Sequence, residues 1–474
     1  MKPRTLLILL VVVLGLGAFI CFYERKLPSS EERTTLGKKV FNELQKDEVT
    51  AVAIETGKGA VRLERAGPAK PAKAKKGGVS AEPAVEWRIA RPFAARADSF
   101  AVDRLLQAVT ALEKTRTLDS VDPRAVGLDQ PRATVRLSTG AGEKVLKLGA
   151  EVPPGGSLIA GVEGRQGACV VSDSILSEVD KQPGEWRDRL MFRGDREAIR
   201  RITLTGTAGG PVVLARRPDG FWIERPFADR ADRDLVDGLL SDLTGLTADR
   251  FLDGSTAKPA ELGLEPPRET VEVAFSGGGG AAPLRIELGG PVTGGAAPEG
   301  QPSGELSYAR LGDSLSEVRT RLPESARRAP ADWRALQLSA FEVHQVESAT
   351  VRMDHDVLEL TRAGTDWKRG STTISYLSVS DLLFAVTGAR ATRLLTPAEA
   401  QGQRAGLGQP ALTFELRTRD AGTEALSLYP PVQGGVPARA AGRGTVLILP
   451  ADALQQIQAK LKTVREARPV TPEK

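Results

Sequence analysis

Side chains that carry chemistry are scarce in this chain. Of its 474 residues two are cysteine and two are histidine, and aromatic residues make up 5%. Cys21 lies in an apolar N-terminal run and Cys169 in a strand-like segment far from it, so neither a disulfide framework nor a cysteine-based metal site can be assembled. His344 stands alone, and Asp354-His355-Asp356 sits between two strand-like runs and reads as a hairpin turn. A metal site there would need partners that no spacing announces. So few aromatics provide no stacking platform for nucleic acid. The net charge of +5 does not supply one either, because Lys70, Lys73, Lys75 and Lys76 concentrate the excess in one loop-like stretch. No Gly-x-Ser-x-Gly elbow and no phosphate loop ending in Gly-Lys-Ser/Thr occurs. The expectation is therefore a protein that is not an enzyme, with no catalytic, cofactor or metal residues and no nucleic-acid partner.

One long apolar run is present. Leu6 to Tyr23 carries no charge, and at ~1.5 Å per residue it reaches roughly 27 Å, enough to cross a hydrocarbon core. Lys2 and Arg4 precede it and Glu24-Arg25-Lys26 follows. A cleaved signal peptide is the alternative, but the run exceeds an ordinary h-region and no Ala-x-Ala pattern follows. The reading is an uncleaved single-pass anchor in the inner (cytoplasmic) membrane, with a short cytoplasmic tail and the large remainder outside the cytoplasm, in the periplasm.

Beyond the anchor the same series of signals recurs three times. Trp87, Trp222 and Trp367 each close a short strand after a β-hairpin pattern: Val49 to Glu55 with Ala60 to Arg65, Ile199 to Thr205 with Val212 to Arg217, and Ser348 to Met353 with Val357 to Arg362. A helical stripe follows: Val102, Leu105, Leu106 and Val109; Val236, Leu239, Leu240 and Leu243; Val379, Leu382, Leu383 and Val386. Asp98 and Asp232 stand just before the first two helices, the ordinary place of an N-cap. Then comes Gly-Leu-x-x-Pro, at Gly127, Gly263 and Gly406, before two further strands and a last strand, placed at Ala168 to Val171, Ser307 to Arg310 and Val446 to Leu449, that leads into a short helix.

The fold class expected is α+β: three tandem diverged modules, each mainly antiparallel sheet with one long and one short helix, after an N-terminal transmembrane helix. The boundaries read as tail 1–5, anchor 6–23, juxtamembrane segment 24–47, and modules at 48–192, 196–338 and 341–469. Trp186-Arg187 ends the first copy and Trp333-Arg334 the second, whereas the third has no such pair. The simplest account is that Trp-Arg docks each module onto the next, so that Trp186, Arg187, Trp333 and Arg334 build stiff junctions while Trp87, Trp222 and Trp367 hold equivalent core places.

These motifs resemble the bacterial domain-of-unknown-function family numbered 4340. The resemblance rests on the anchor, Trp87, Pro92-Phe93, Arg96-Ala97-Asp98, Val102-Asp103, Gly127-Leu128 with Pro131-Arg132, and Trp186-Arg187. It implies no catalytic residues. It does imply auxiliary proteins found alongside ABC exporter components of the gliding-motility type. Two functions of different kind follow as expectations. One is a non-catalytic, membrane-anchored scaffold or auxiliary subunit of an envelope (ABC-type) transport complex, with the bilayer and other membrane-complex proteins as partners. The other is a binding module for an envelope polymer or small anionic ligand, for which recurrent arginines such as Arg96, Arg230, Arg132 and Arg268 would be the candidates. Within-module salt bridges account for those arginines equally well.

Overall fold

The protein is described by a computed structural model covering residues 38–42, 44–66, 86–206, 210–253, 257–276, 283–292, 304–404, 407–419 and 422–469. The expected tail and anchor, and most of the 24–47 segment, lie outside these residues. Among the described residues no helix is long and apolar enough to cross a membrane. The chain divides into two compact units, residues 1–189 and 190–474. The first holds one module and the second holds two.

In the first module the strands are β1 (Val49–Thr56), β2 (Gly59–Ala66), β3 (Glu86–Arg91), β4 (Ala95–Arg96), β5 (Arg116–Leu118), β6 (Ala133–Thr139), β7 (Gly142–Glu151), β8 (Ser157–Val162) and β9 (Ala168–Ser172), with helices α1 (Ser99–Ala111) and α2 (Ile175–Val179). They form one antiparallel sheet in the order β4-β3-β2-β1-β6-β7-β8-β9-β5. Two meanders thus run outward from a central β1–β6 pair, and β5 closes the far edge. Val52 and Ile54 alternate along β1 and Val49 joins them across a bulge between Val49 and Ala51, so that their buried side chains share the core with the helices. On that face Val102, Leu105, Leu106 and Val109 of α1 are buried, each Leu-sized side chain contributing roughly 1.5–3 kcal/mol. The Asp98 carboxylate caps α1 by accepting from the Phe100 and Ala101 N–H groups.

The second unit repeats this sheet twice, again as nine strands in the same order. Asp232 caps α3 (Arg233–Thr244) in the same way, accepting from the N–H groups of Asp234 and Leu235. Ser375 replaces the aspartate before α5 (Tyr376–Thr387) and accepts from Leu377 N–H. The Gly-Leu turn is equally local in origin: Gly127 and Gly263 adopt φ of 70° and 71°, and the Ala150 and Gly290 N–H groups reach back to the carbonyls of Val126 and Leu262.

Five expectations change. Each module has nine strands and not six: β4, β5 and their counterparts are too short to show a period, and four strands follow the Gly-Leu turn where three were expected. Ser307 to Arg310 lies in the counterpart of β8, and the last strand of module 2 is Ser314–Thr320. The second helix is short in modules 1 and 2 (α2, and α4 at Leu322–Arg327) but not in module 3, which adds α6 (Pro397–Arg404) and ends on the 14-residue α7 (Ala453–Glu466). The boundaries also move: Val40, Phe41 and Leu44 are buried in the first module's core and Phe192 in the second's, so these two modules begin with a buried lead-in before the first strand.

The fifth change concerns register. Trp87 pairs with Arg65, and Arg88 and Ile89 pair with Arg96 and Ala95. In module 2 it is Phe221 that pairs with the corresponding Arg216, while Trp222 and Ile223 pair with Arg230 and Asp229. Trp367 pairs with Arg362. Trp87, Phe221 and Trp367 therefore share one place, each lying in its module's core. Trp222 takes the place of exposed Arg88. One residue of slip along a strand moves a side chain to the opposite face, and Trp222 faces away from its own module's core.

Candidate functional site

Within the second unit, the stretch Trp333 to Leu338 is a strap shared by two modules. Its first half pairs with the edge of module 2: Asp232 N–H donates to Trp333 O (2.7 Å) and Ala335 N–H to Arg230 O (2.9 Å). Its second half enters module 3: Leu338 N–H donates to Ala389 O and Ala391 N–H to Leu336 O. Within the first unit the Trp186 segment caps β4 alike, with Asp98 N–H donating to Trp186 O and Asp188 N–H to Arg96 O.

Over this strap lies a buried charge cluster. The Asp229 carboxylate, 1% exposed, accepts from Arg334 Nε at 2.8 Å, Arg443 Nε at 2.7 Å and the Arg230 N–H at 2.8 Å. Arg443 also donates from Nη1 to the carbonyl of Gln337 (2.9 Å) and from Nη2 to that of Ala335 (2.7 Å). Arg334 also donates to Leu395 O and to the Thr445 hydroxyl, and its guanidinium lies over the Phe227 ring. Arg230 donates to Gln337 O, to Leu338 O and to Glu424 Oε1 at 2.9 Å. Glu424 is filled in turn by the Ser339 hydroxyl at 2.6 Å and the Ala340 N–H. Burial, and then the like charge of Arg443, hold the Arg230 pKa below that of a free guanidinium, with Glu424 opposing. Trp222 completes the contact: a Cβ on Gly442 would lie 3.4 Å from its ring, Asp219 accepts from its indole N–H at 3.0 Å, and Arg217 stacks over it.

Beside the cluster a cleft of about 1690 Å³ opens between the two modules. Six arginines line it, and each has a carboxylate: Arg196 with Asp237, Arg216 with Glu197, Arg230 with Glu424, Arg233 with Glu342, and Arg362 and Arg419 with Glu347. The chemistry available is recognition by a neutralised polar wall with apolar patches at Phe221, Val236 and Phe341. Among the described residues no group of three or more His, Cys, Asp or Glu is placed to hold a metal ion.

The structure redistributes the candidate residues. Trp186 and Trp333, expected at junctions, are 0% and 1% exposed and belong to the cores of their own modules. Arg334 is the junction half of its pair, while Arg187 lies over Phe93. Trp222, expected in a core, is at the junction. Asp98 and Asp232 are caps, and Arg96 and Arg132 form within-module pairs with Glu86 and Glu151. Arg230, with the same motif as Arg96, reaches into the next module instead. Asp103, Asp237 and Asp381 lie beyond the first helical turn and pair with Lys46, Arg196 and Lys460. Asp229, Glu424 and Arg443 carried no mark in the sequence, apart from Asp229 standing where module 1 has Ala95.

No curated protein matches the chain. The profile of the family described as domain of unknown function (DUF4340) matches residues 87–267 and, one module further on, residues 222–377. Together these matches span more than half of the sequence, and the chain belongs to the DUF4340 family.

Proposed function

We propose that this protein is a non-catalytic scaffold or auxiliary subunit of an envelope transport complex of the ABC type, anchored in the inner membrane by residues 6–23, with its modules outside the cytoplasm. The observation that carries the reading is the buried Asp229–Arg334–Arg443 cluster. Three guanidiniums and two carboxylates are engaged in holding one module against the next, each guanidinium bonded both to a carboxylate and to backbone carbonyls. Such a network favours one arrangement over alternatives, because any hinge motion would strand buried charge. Fixed spacing suits a protein that positions others. The apolar run Leu6 to Tyr23 supports the anchor, and the family's implied company supports the transport complex.

The test has two parts. Spin labels at positions 200 and 357 of the full chain, in a background without Cys21 and Cys169, report the distance between modules 2 and 3. A single narrow distribution that broadens in Asp229→Ala is expected, and a broad distribution in the unaltered chain rejects the stiff junction. Co-purification of the intact membrane protein should bring down ABC exporter components reproducibly, and their absence rejects the complex.

The second reading, a binding module for an envelope polymer or small anionic ligand, draws on the inter-module cleft. Its arginines are already paired, so an anion would have to displace carboxylates. Binding of a small polyanion that is lost in Arg233→Ala would favour this reading.

A further inference from the structure

We infer that the third module ends in a docking surface for an extended, apolar segment of a partner protein, which adds as a strand to the edge Thr372–Ile374 and lies along α5. The inference rests on the scaffold reading above and names the surface through which such a scaffold would act.

Edges equivalent to this one are covered elsewhere in the molecule. β4 is capped by the Trp186 segment, and its counterpart Asp229–Arg230 by the Trp333 strap, each through a pair of backbone hydrogen bonds. The strand Thr372–Ile374 pairs with Asp366–Arg369 on one side, as β4 pairs with β3. Thr373 stands where Arg96 and Arg230 stand, and Ser375 where Asp98 and Asp232 stand. Among the described residues nothing hydrogen-bonds to Thr373 O or accepts from Ser375 N–H. An open edge of this kind is a template for strand addition.

The helix beside the edge adds a second observation. Large exposed apolar side chains scattered singly need no explanation, but three of the seven among the described residues are on α5: Tyr376, Leu377 at 70% and Phe384 at 71% exposure. Leu377 and Phe384 are two turns apart on one face. In module 2 the same positions are Asp234 and Ser241, and Arg233, in the place of Tyr376, reaches across to Glu342 of the following module. The face that meets a polar neighbour in module 2 is thus apolar in module 3. The occupant it fits is an extended segment with alternating apolar side chains. The polar rim that module 3 itself presents to module 2 does not match this surface.

Photo-crosslinking of the full membrane-anchored chain in its native cells tests this, with Leu377→p-benzoylphenylalanine and Phe384→p-benzoylphenylalanine as probes. Val357 and Val432, also apolar and exposed in module 3, serve as controls. The expected result is one protein adduct at 377 and 384, absent at the controls and lost when Ser375→Pro removes the open N–H. Should Ser375→Pro lower the melting temperature, Leu377→Asp with the probe at 384 replaces it, again with loss of the adduct expected. No adduct, equal adducts at the controls, an adduct between two copies of the chain, transfer to lipid, or an adduct that survives these variants would each overturn the inference. The spin-label distance is read without any partner, so a stiff junction with no adduct removes this surface and leaves the scaffold standing.

Discussion

At the scale of single residues, the five tryptophans separate into two roles that the spacing alone confuses. Trp333 is 1% exposed inside the core of module 2, so Trp333→Ala is expected to cost ~3–5 kcal/mol. Trp222 packs outward on the next module, so Trp222→Ala should spare the fold of module 2 and loosen its junction. Chemical denaturation with a probe in each module distinguishes the two, and equal global losses would show that Trp222 is a core residue after all. Glu269 is a different case. Burial raises its pKa, helped by Glu305 and opposed by Arg327. A carboxyl whose folded pKa lies above its unfolded value favours folding while protonated, and that contribution is lost as the pH rises from the ordinary glutamate value through the raised one. Glu269→Gln is therefore expected to flatten the fall in melting temperature between acidic and neutral pH and to leave stability at neutral pH equal or higher. A steeper fall in the variant would contradict this.

At the scale of elements, the caps and turns act locally and are read locally. Asp98→Ala and Asp232→Ala each remove a carboxylate that satisfies two N–H groups at a helix start, for an expected loss of ~1 kcal/mol. Asp232 should cost the same as Asp98 if capping is its whole role. Urea midpoints of the two variants make the comparison, and a much larger loss at Asp232 would show that the strap on Trp333 depends on it. The helices and hairpins were legible because their apolar positions repeat every 3.6 or 2 residues. The short edge strands were not, since two or three residues display no period. Nor was the long α7, whose stripe of Leu454, Ile457, Leu461 and Val464 follows a stretch expected to end as in the other copies.

At the scale of the whole molecule, the second unit holds two modules through one buried cluster. Removing one member of a buried ion pair leaves an uncompensated charge, at a cost of about 3–5 kcal/mol. Arg443→Ala is expected to uncouple the modules, so that scanning calorimetry of the unit shows two transitions where the unaltered chain shows one. A single transition shifted to lower temperature would mean that the modules are coupled by other contacts. Topology belongs to this scale as well. An alkaline phosphatase fused after Lys474 should be active in cells if the modules lie outside the cytoplasm, and a well-expressed but inactive fusion would reverse the orientation.

The sequence by itself determined the three modules, the order of their longer helices and first hairpins, the first two helix caps and the Gly-Leu turns. All of these depend on residues within about one turn or one hairpin of each other, where periodicity and φ preference act directly. Only the tertiary structure decided which face Trp222 takes, because a strand's register depends on its partner and one step reverses its side chains. It alone brought together Asp229, Arg334 and Arg443, residues from a strand edge, a strap and a loop far apart along the chain. No local pattern marks such a cluster, since its charges become favourable only where neighbouring modules exclude water and supply each guanidinium with its acceptors.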